Sequence, residues 1–150
     1  MIRQYETDDL VSAANVWLRS GLIEYTYLPQ FQRLNEEKAI DVFHRVIQEH
    51  CKIWVFEEDD VVVGFIAMQD NLVDRLYVDP DHQTIGIGSS LIAHAKKMYS
   101  TGLELRTHQQ NKRACKFYEK HDFKPVRYGL SPAPELVPDV EYHWSPNTDK

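Results

Sequence analysis

Residues suited to ligand chemistry gather where a predicted strand, residues 72–78, gives way to a predicted helix. Gln83, Gly86 and Gly88 follow this strand within a short polar turn, and Ser89 comes next. Glycine lets backbone N–H groups approach a ligand with no side chain in the way. A helix N-terminus adds unpaired N–H donors at the positive end of the helix dipole. The pattern therefore favours a site for a phosphate or pyrophosphate, with the Ser89 hydroxyl as a further donor.

Two other phosphate signatures do not fit this glycine pair. The dinucleotide fingerprint G-x-G-x-x-G fails because Leu91 occupies the position of the third glycine. A Walker loop requires G-K-[ST], which the sequence lacks. On its own, the pair of Gly86 and Gly88 is equally compatible with a tight strand–helix turn that binds nothing.

A second motif, N-x-x-A-x-x-F-Y, begins 25 positions after Gly86 and is followed by one more aromatic residue. It consists of Asn111, Ala114, Phe117 and Tyr118, with Phe123 beyond it. At this point the sequence resembles the GNAT family of acetyl-CoA-dependent N-acetyltransferases. The family's pyrophosphate motif, Q-x-x-G-x-G/A, is matched by Gln83, Gly86 and Gly88. The resemblance covers essentially the whole chain, because the predicted order of strands and helices is also the order of the family.

The resemblance implies an α/β fold with a central mixed sheet of six to seven strands, flanked by about four helices. The strand ending at Val78 and the strand at residues 103–107 would splay into a V that admits the pantetheine arm of acetyl-CoA. Main-chain groups of Leu76 and Val78 would bond that arm, backbone amides of residues 83–89 would bind the pyrophosphate, and Asn111 would face the cofactor. The implied cofactor-binding set is Leu76, Tyr77, Val78, Gln83, Thr84, Ile85, Gly86, Ile87, Gly88, Ser89, Asn111, Ala114 and Phe117.

The resemblance also implies a reaction, in which a primary amine attacks the thioester directly. Tyr118 would lie near the sulfur and act as the general acid that protonates the leaving thiolate, which is chemistry a phenol can perform. A backbone N–H near Val78 would polarise the carbonyl. The alternative for Tyr118 is an aromatic core residue on a helix face.

The general base is less clearly marked. Histone-type members carry a glutamate on the strand before the pyrophosphate loop, where this sequence has Leu72. Asp74 points to the same face as Leu72 by strand alternation, and is the first candidate for a base that acts through water. Glu24 and His108 are reserves. The alternative for Asp74 is a solvated or ion-paired carboxylate.

The sequence departs from the family pattern in the loop. Thr84 and Ile85 stand where the family often has a glycine and a basic residue, so phosphate binding would rely on amides and the helix end. The family's acceptor pocket would correspond to residues 21–34 and 129–139. Its lining would be aromatic and acidic, which suits a cationic amine, unless the aromatics are core residues and the acids are solvated. The candidates are Glu24, Tyr25, Tyr27 and Glu135.

Periodicity predicts the elements that position these residues. Helices are expected from a cap at Thr7 or Asp8 to a stop at Gly21, from a cap at Asn35 to His50, over residues 86–100, and after a cap at Asn111. Strands are expected at residues 2–5, 52–57, 61–68, 72–78, 103–107, 123–128 and 140–144. The inward faces of the second and third helices are expected to contain Ala39, Val42, Phe43, Val46 and His50, and Leu91, Ile92, Ala95, Met98 and Tyr99.

Together these elements predict a mixed sheet with helices on both faces. The strand–helix–strand segment from residue 72 to 107 should form a parallel crossover. An exposed last strand, from Val140 to Trp144, would allow two copies of the chain to pair edge to edge as a homodimer.

Composition bounds the possible partners. The chain has 150 residues, which fits a single domain over residues 1–150. Its net charge of −6 disfavours nucleic acid, because binding phosphates requires a basic face. No apolar run is long enough to cross a bilayer and no signal peptide opens the chain, so we expect a cytoplasmic protein with no membrane partner. Cys51 and Cys115 are expected to be reduced, and the seven histidines form no metal-binding pattern.

The function expected from the sequence is N-acetyl transfer from acetyl-CoA to a primary amine on a small molecule or peptide. A second hypothesis is a non-catalytic acyl-CoA sensor or interaction module on the same fold. The presence of Tyr118 argues against it, and the absence of a clear general base argues for it. A third is a nucleotide-phosphate-binding domain of another fold, disfavoured because both of its signature loops fail.

Overall fold

The computed structural model describes residues 1–83, 86–133 and 135–146. The strands are β1 (Ile2–Gln4), β2 (Lys52–Glu58), β3 (Val61–Gln69), β4 (Leu72–Val78), β5 (Leu103–His108), β6 (Lys124–Leu130) and β7 (Pro138–Trp144). The α-helices are α1 (Leu10–Glu24), α2 (Pro29–Gln32), α3 (Glu36–Val42), α4 (Ile87–Met98) and α5 (Lys112–Lys120). Short 3₁₀ turns precede α1 and follow β4, at Thr7–Asp9 and Pro80–His82.

The seven strands form one open, mixed sheet in the order β1-β2-β3-β4-β5-β7-β6. β4 and β5 run parallel, with Leu72 opposite Glu104 and Val73 opposite Leu105. The other ladders with a defined register are antiparallel. The predicted mixed sheet and the predicted parallel crossover are therefore confirmed.

The chain divides into two compact units, Met1–Gln69 with Asp74–Leu91, and Asp70–Val73 with Ile92–Lys150. In the first unit, α1 and α3 cover one face of the sheet. Trp17 of α1 and Phe43, just after α3, are buried with Val55 of β2 and Phe65 of β3. These side chains alternate along the strands, so the apolar set of each strand faces the helices.

The opposite face of β3 in this unit receives the first turns of α4. A Cβ atom at Gly64 would lie 3.0 Å from Cγ2 of Ile87 and 3.4 Å from Cδ1 of Leu91, which places the helix directly on the strand. The predicted arrangement of helices on both faces is thus found here. The prediction that Met98 faces inward is wrong, since its side chain is exposed near the end of the helix.

The prediction that Gly21 stops the first helix is also wrong, because α1 continues to Glu24. Gly21 instead makes room for another side chain: a Cβ atom there would lie 2.0 Å from the Phe31 ring. The glycine marks a close packing contact with α2, a short helix that begins at Pro29 and that periodicity did not indicate.

The second long helix changes geometry halfway along. After α3, residues Phe43–Gln48 form a π-helical segment. The wider turn moves the inward face by one position, so Ile47 is fully buried while Val46 is exposed. His50 is exposed as well. The predicted inward positions Val46 and His50 were therefore wrong, because they assume a regular repeat of 3.6 residues.

In the second unit, β5 and β7 bury alternate residues, as their sequence pattern predicts. Leu103 and Leu105 of β5 lie opposite Trp144 and Tyr142 of β7. β7 lies between β5 and β6, so the last strand is not an edge and the edge pairing expected of it is wrong. The outer strand is β6, where Pro125 and a register shift before Arg127 discourage pairing with another chain.

Among the described residues, no helix is long and apolar enough to span a membrane, and no cluster of three metal-ligating side chains occurs. Cys51 and Cys115 are free thiols and half-buried. The single domain over residues 1–150 stays a prediction.

Candidate active site

The glycine turn of the first unit opens α4 as the sequence predicts. Gly86 has a φ of +85°, a conformation that favours glycine, and nothing lies within 4 Å of the place where a Cβ atom would stand. Ile87 and Gly88 are buried in the first helical turn, and Ser89 is half-buried. The open side of Gly86 and the N-terminus of a 12-residue helix suit a phosphate group. Thr84 and Ile85 lie outside the described residues.

The end of β4 is held by its own surroundings. Ser20 Oγ donates a 2.6 Å hydrogen bond to the carbonyl oxygen of Val78, and Gln83 Nε2 donates a 3.0 Å bond to the same oxygen. The Gln83 side chain is therefore turned into the fold, and any contact with a cofactor falls to its backbone. Sequence reasoning missed this arrangement, because the motif Q-x-x-G-x-G does not indicate where the amide points.

Backbone direction separates the three candidates on β4. The Asp79 N–H donates to the carbonyl of Val63 on β3 at 2.7 Å, and the Tyr77 carbonyl lies beside Gly64 on the same strand. Strand alternation then directs the N–H groups of Leu76 and Val78 away from β3. These two residues can offer main-chain groups to a ligand, whereas the backbone of Tyr77 is used within the sheet.

Asp79 has a buried carboxylate that is surrounded by several hydrogen-bonding partners. Its Oδ1 accepts a 2.6 Å bond from Arg19 Nη1. Its Oδ2 lies 3.2 Å from the N–H of Asp81 and 3.1 Å from Nδ1 of His82. Because only the charge pattern of the turn was visible in the sequence, neither Asp79 nor Arg19 was identified as a functional candidate.

Asp74, the candidate base, carries an ion pair. The guanidinium of Arg75 contacts Oδ2 of Asp74, and the Cys51 thiol lies 3.6 Å from the same oxygen. Burial and the charge of Asp74 raise the pKa of the Cys51 thiol to about 11. Oδ2 of Asp74 is therefore ion-paired, as the paired-carboxylate alternative expects, so the proposed base would act through Oδ1.

A tyrosine cluster adjoins the end of α1. The hydroxyl oxygens of Tyr25 and Tyr77 are 2.7 Å apart, and both rings lie near aromatic neighbours, Phe31 and Phe65 respectively. Burial, reinforced by the charge of Glu24, raises the pKa of Tyr77 to about 12. The same two causes raise the pKa of Tyr27 to about 12, and burial together with Tyr77 and Glu24 holds that of Tyr25 well above its usual value. One carboxylate therefore acts electrostatically on three phenols that stay protonated.

In the second unit, Asn111 caps α5 as predicted. Its side-chain oxygen accepts a 3.1 Å bond from the N–H of Ala114. One helical turn further, Phe117 and Tyr118 stack edge to face with ring centroids 5.3 Å apart. The Tyr118 ring is buried and also contacts Phe123 at 5.6 Å. The cap fixes where the helix begins, and the aromatic contacts fix the orientation of the Tyr118 ring.

A second tyrosine lies close to Tyr118. The ring centroids of Tyr118 and Tyr142 are 6.3 Å apart, and the Tyr142 hydroxyl donates a 2.6 Å bond to Oε2 of Glu119. Burial and the Glu119 carboxylate raise the pKa of Tyr142 far above its usual value. Desolvation lowers the pKa of His108, the reserve base of this unit. Tyr142 was identified from the sequence only as a strand residue.

Each group of candidates is a local arrangement within one unit. Leu76, Tyr77, Val78, Gln83, Gly86, Ile87, Gly88, Ser89 and Asp74 belong to the first unit. Asn111, Ala114, Phe117 and Tyr118 belong to the second. Their assignment to acetyl-CoA or to catalysis stays a prediction.

Similarity to known proteins is found at the level of both sequence and fold. A family model described as "Acetyltransferase (GNAT) domain" matches residues 49–125. The chain is 31% identical over 123 residues to the peptidyl-lysine N-acetyltransferase YjaB of Salmonella typhimurium strain LT2, covering 81% of this chain and 79% of that protein.

Two solved structures share the fold. The solution structure of apo-form YjaB from Escherichia coli matches with a TM-score of 0.80 and 22% identity, covering 96% of each chain. The PaiA N-acetyltransferase of Thermoplasma acidophilum, solved in complex with coenzyme A, matches with a TM-score of 0.70 and 22% identity, covering 96% of this chain and 98% of that one.

Proposed function

Because the chain belongs to the GNAT family of acetyltransferases and uses acetyl-CoA, we propose that it acetylates the side-chain amine of lysine in a peptide or protein by direct attack. Two observations support a lysine acceptor. The relative from Salmonella typhimurium is named a peptidyl-lysine N-acetyltransferase. The Glu24 carboxylate, beside three protonated tyrosines, is suited to a cationic chain that carries apolar methylenes.

The observation that carries the proposed chemistry is the position of Tyr118. It lies about two turns into a helix that Asn111 caps, with its ring held by Phe117 and Phe123. A general acid must be fixed in orientation and must keep its proton at neutral pH, and a buried phenol meets both conditions. Tyr118 is therefore assigned the proton that the departing thiolate takes up.

The chain's residues would act in sequence. Oδ1 of Asp74, through a water, accepts the proton of the acceptor ammonium, and the free amine attacks the thioester carbonyl carbon. The N–H of Val78 stabilises the tetrahedral oxyanion. As the carbon–sulfur bond breaks, Tyr118 Oη gives its proton to the sulfur. The attacking nitrogen, which is cationic in the tetrahedral intermediate, loses its extra proton through solvent to the Tyr118 phenolate, and Asp74 releases the first amine proton to solvent. The products are an N-acetyl amine and free coenzyme A, with no covalent enzyme intermediate.

Acetyl-CoA fits the described part of the loop. The unobstructed Gly86 and the amides opening α4 can receive the pyrophosphate. Main-chain groups of Leu76 can bond the pantetheine arm, and the Val78 N–H can bond the thioester carbonyl at its end. The backbone of residue 83, the segment from Gly86 to Ser89, and the α5 residues Asn111, Ala114 and Phe117 complete the proposed contacts.

The test is release of free thiol from acetyl-CoA with matched acceptors. One peptide carries a single lysine and a blocked N-terminus, a second has arginine in place of that lysine, and a third has only a free N-terminus. Saturable release with the lysine peptide alone, and an acetyl group located on that lysine by mass spectrometry, is the expected result. Release with the N-terminal amine alone, or with free polyamines alone, would contradict a peptidyl-lysine acceptor.

A further inference from the structure

The end of β4 and the turn after it are held by the second half of α1. The Tyr25 hydroxyl meets that of Tyr77 at 2.7 Å, Ser20 Oγ bonds the Val78 carbonyl at 2.6 Å, and Arg19 bonds Asp79 at 2.6 Å. Three consecutive residues, 77 to 79, are therefore contacted by two residues of α1 and by Tyr25, the residue that follows this helix.

The contact between Arg19 and Asp79 differs from an ordinary surface ion pair. The Asp79 side chain is only 7% exposed, and both of its carboxylate oxygens accept hydrogen bonds. Arg19 also reaches Asp81 with Nη2 at 3.0 Å, but that carboxylate is largely solvent-exposed, so the second contact adds little. A charge-assisted bond to a buried carboxylate holds its partners more firmly than an exposed pair does.

We propose that Arg19 and Asp79 are positioning residues for acetyl-CoA: they fix the turn at residues 79–83, after β4, and so set how tightly the helix opening at Ile87 binds the cofactor. Neither residue touches a reacting atom. Asp79 acts on the turn through the N–H of Asp81 and the ring of His82, and Gln83 then caps the Val78 carbonyl. The inference rests on the proposed cofactor site at residue 83 and residues 86–89.

Positioning matters here because the loop has no cation to bind phosphate. The sequence contains no lysine or arginine between Arg75 and Lys96. Backbone amides and the helix end must then provide the binding energy, and they do so only when they are already aligned. A side chain that aligns them contributes to affinity without contacting the ligand.

The experiment compares variants of the full chain by calorimetric titration with coenzyme A and by steady-state kinetics with acetyl-CoA and the lysine peptide. Arg19→Ala removes the contact, Arg19→Lys keeps the charge, and Arg19→Ala with Asp79→Asn removes both charges, so that no buried carboxylate is left unpaired. The matched control is Arg45→Ala, which breaks an Arg–Asp pair with the same 2.6 Å separation, to Asp41, on the exposed face of the second long helix.

The expected result for Arg19→Ala is a Kd for coenzyme A and a KM for acetyl-CoA each raised about tenfold, with kcat changed by less than about twofold. Arg19→Lys should recover part of the affinity, the double variant should be no weaker than Arg19→Ala, and Arg45→Ala should match the wild type. A purely structural role would instead lower thermal stability without this split between KM and kcat.

Unchanged affinity in folded Arg19→Ala, or in the double variant if the single variant does not fold, would overturn the inference. Gly88→Val separates it from the proposed site. If Gly88→Val abolishes coenzyme A binding while the Arg19 variants bind normally, only the positioning role fails. If Gly88→Val also binds normally, the cofactor site itself is wrong, and the inference falls with it.

Discussion

The hydroxyl of Tyr142 on β7 donates a 2.6 Å hydrogen bond to Oε2 of Glu119 on α5, the residue next to Tyr118. Tyr142 is almost fully buried, and its pKa is raised far above its usual value by burial and by that carboxylate. The phenol therefore stays protonated throughout any practical assay and keeps donating. The bond ties the helix carrying the proposed general acid to the sheet beneath it.

Tyr142→Phe should lower the free energy of unfolding by about 1 kcal/mol, because it removes one hydrogen bond and leaves the ring in place. We expect a smaller fall in kcat than in Tyr118→Phe, since Tyr142 is not assigned a proton. Urea denaturation measures the first effect. Tyr128→Phe, at a tyrosine that is 67% exposed, is the matched control and should be neutral. Equal stability of the two variants would show that the Glu119 contact contributes nothing.

Tyr118→Phe should lower kcat by roughly 10²-fold, the scale expected when a general acid is lost. The substitution keeps the ring contacts with Phe117 and Phe123, so the helix should stay in place. Calorimetry with coenzyme A should give the wild-type Kd, which separates loss of the proton donor from loss of the site. An unchanged kcat would remove Tyr118 from the mechanism and leave it a core aromatic.

Asp74→Asn should lower kcat at neutral pH if Oδ1 accepts the amine proton, and the loss should shrink as pH rises and the amine deprotonates unaided. The loss is measured as the pH profile of kcat with the lysine peptide. Arg75 loses its partner in this variant, so the control is Arg75→Gln, which breaks the same ion pair and leaves the carboxylate. A base role predicts that only Asp74→Asn changes the slope of the profile. Identical profiles would identify Asp74 as a structural partner of Arg75.

Much of the fold could be predicted because its signals are local. The bounds of β4 and the caps at Asn35 and Asn111 follow from patterns within a few residues, and the structure confirms each of them. The contacts that shape the candidate site are not local. Arg19 and Asp79 are 60 positions apart, and Ser20 and Val78 are 58 apart, so their pairing depends on how α1 packs on the sheet.

The predictions that were wrong or incomplete also relied on local sequence patterns. A glycine near the end of an apolar stripe ordinarily indicates a helix stop, but at Gly21 the close approach of Phe31 requires the small residue instead. A regular helical repeat cannot reveal a π-helical turn, which shifted the buried position to Ile47. For Gln83, the sequence motif was matched, yet only the tertiary structure shows that the amide bonds Val78.

Gly21→Ala tests directly whether close packing against Phe31 requires a glycine at this position. Alanine favours a helix interior by about 1 kcal/mol over glycine, so propensity alone predicts stabilisation. The new Cβ atom would lie 2.0 Å from the Phe31 ring, which must move, and we expect a net loss of about 1–3 kcal/mol. Gly129→Ala is the control, since a Cβ atom there would make only an ordinary 3.6 Å contact with Asp139. Stabilisation by Gly21→Ala would mean that the Phe31 ring shifts at no cost.

The pH dependence of Cys51 labelling reports on the environment of Asp74. Its pKa is raised to about 11 by burial and by the Asp74 charge, so at pH 8 only about 0.1% is thiolate, the form that reacts. In a Cys115→Ser background, iodoacetamide labelling should accelerate about tenfold per pH unit from pH 8 to 10 and level off near pH 11. Asp74→Asn should speed labelling at pH 8, because one cause of the raised pKa is gone. Because the pKa of this thiol is higher in the folded protein than in the unfolded chain, the thiol also contributes to the free energy of unfolding. That contribution is complete below pH 9, the ordinary thiol pKa, and is lost as pH rises through about 11. A labelling rate that levels off by pH 9 would contradict both the burial of the thiol and its coupling to Asp74.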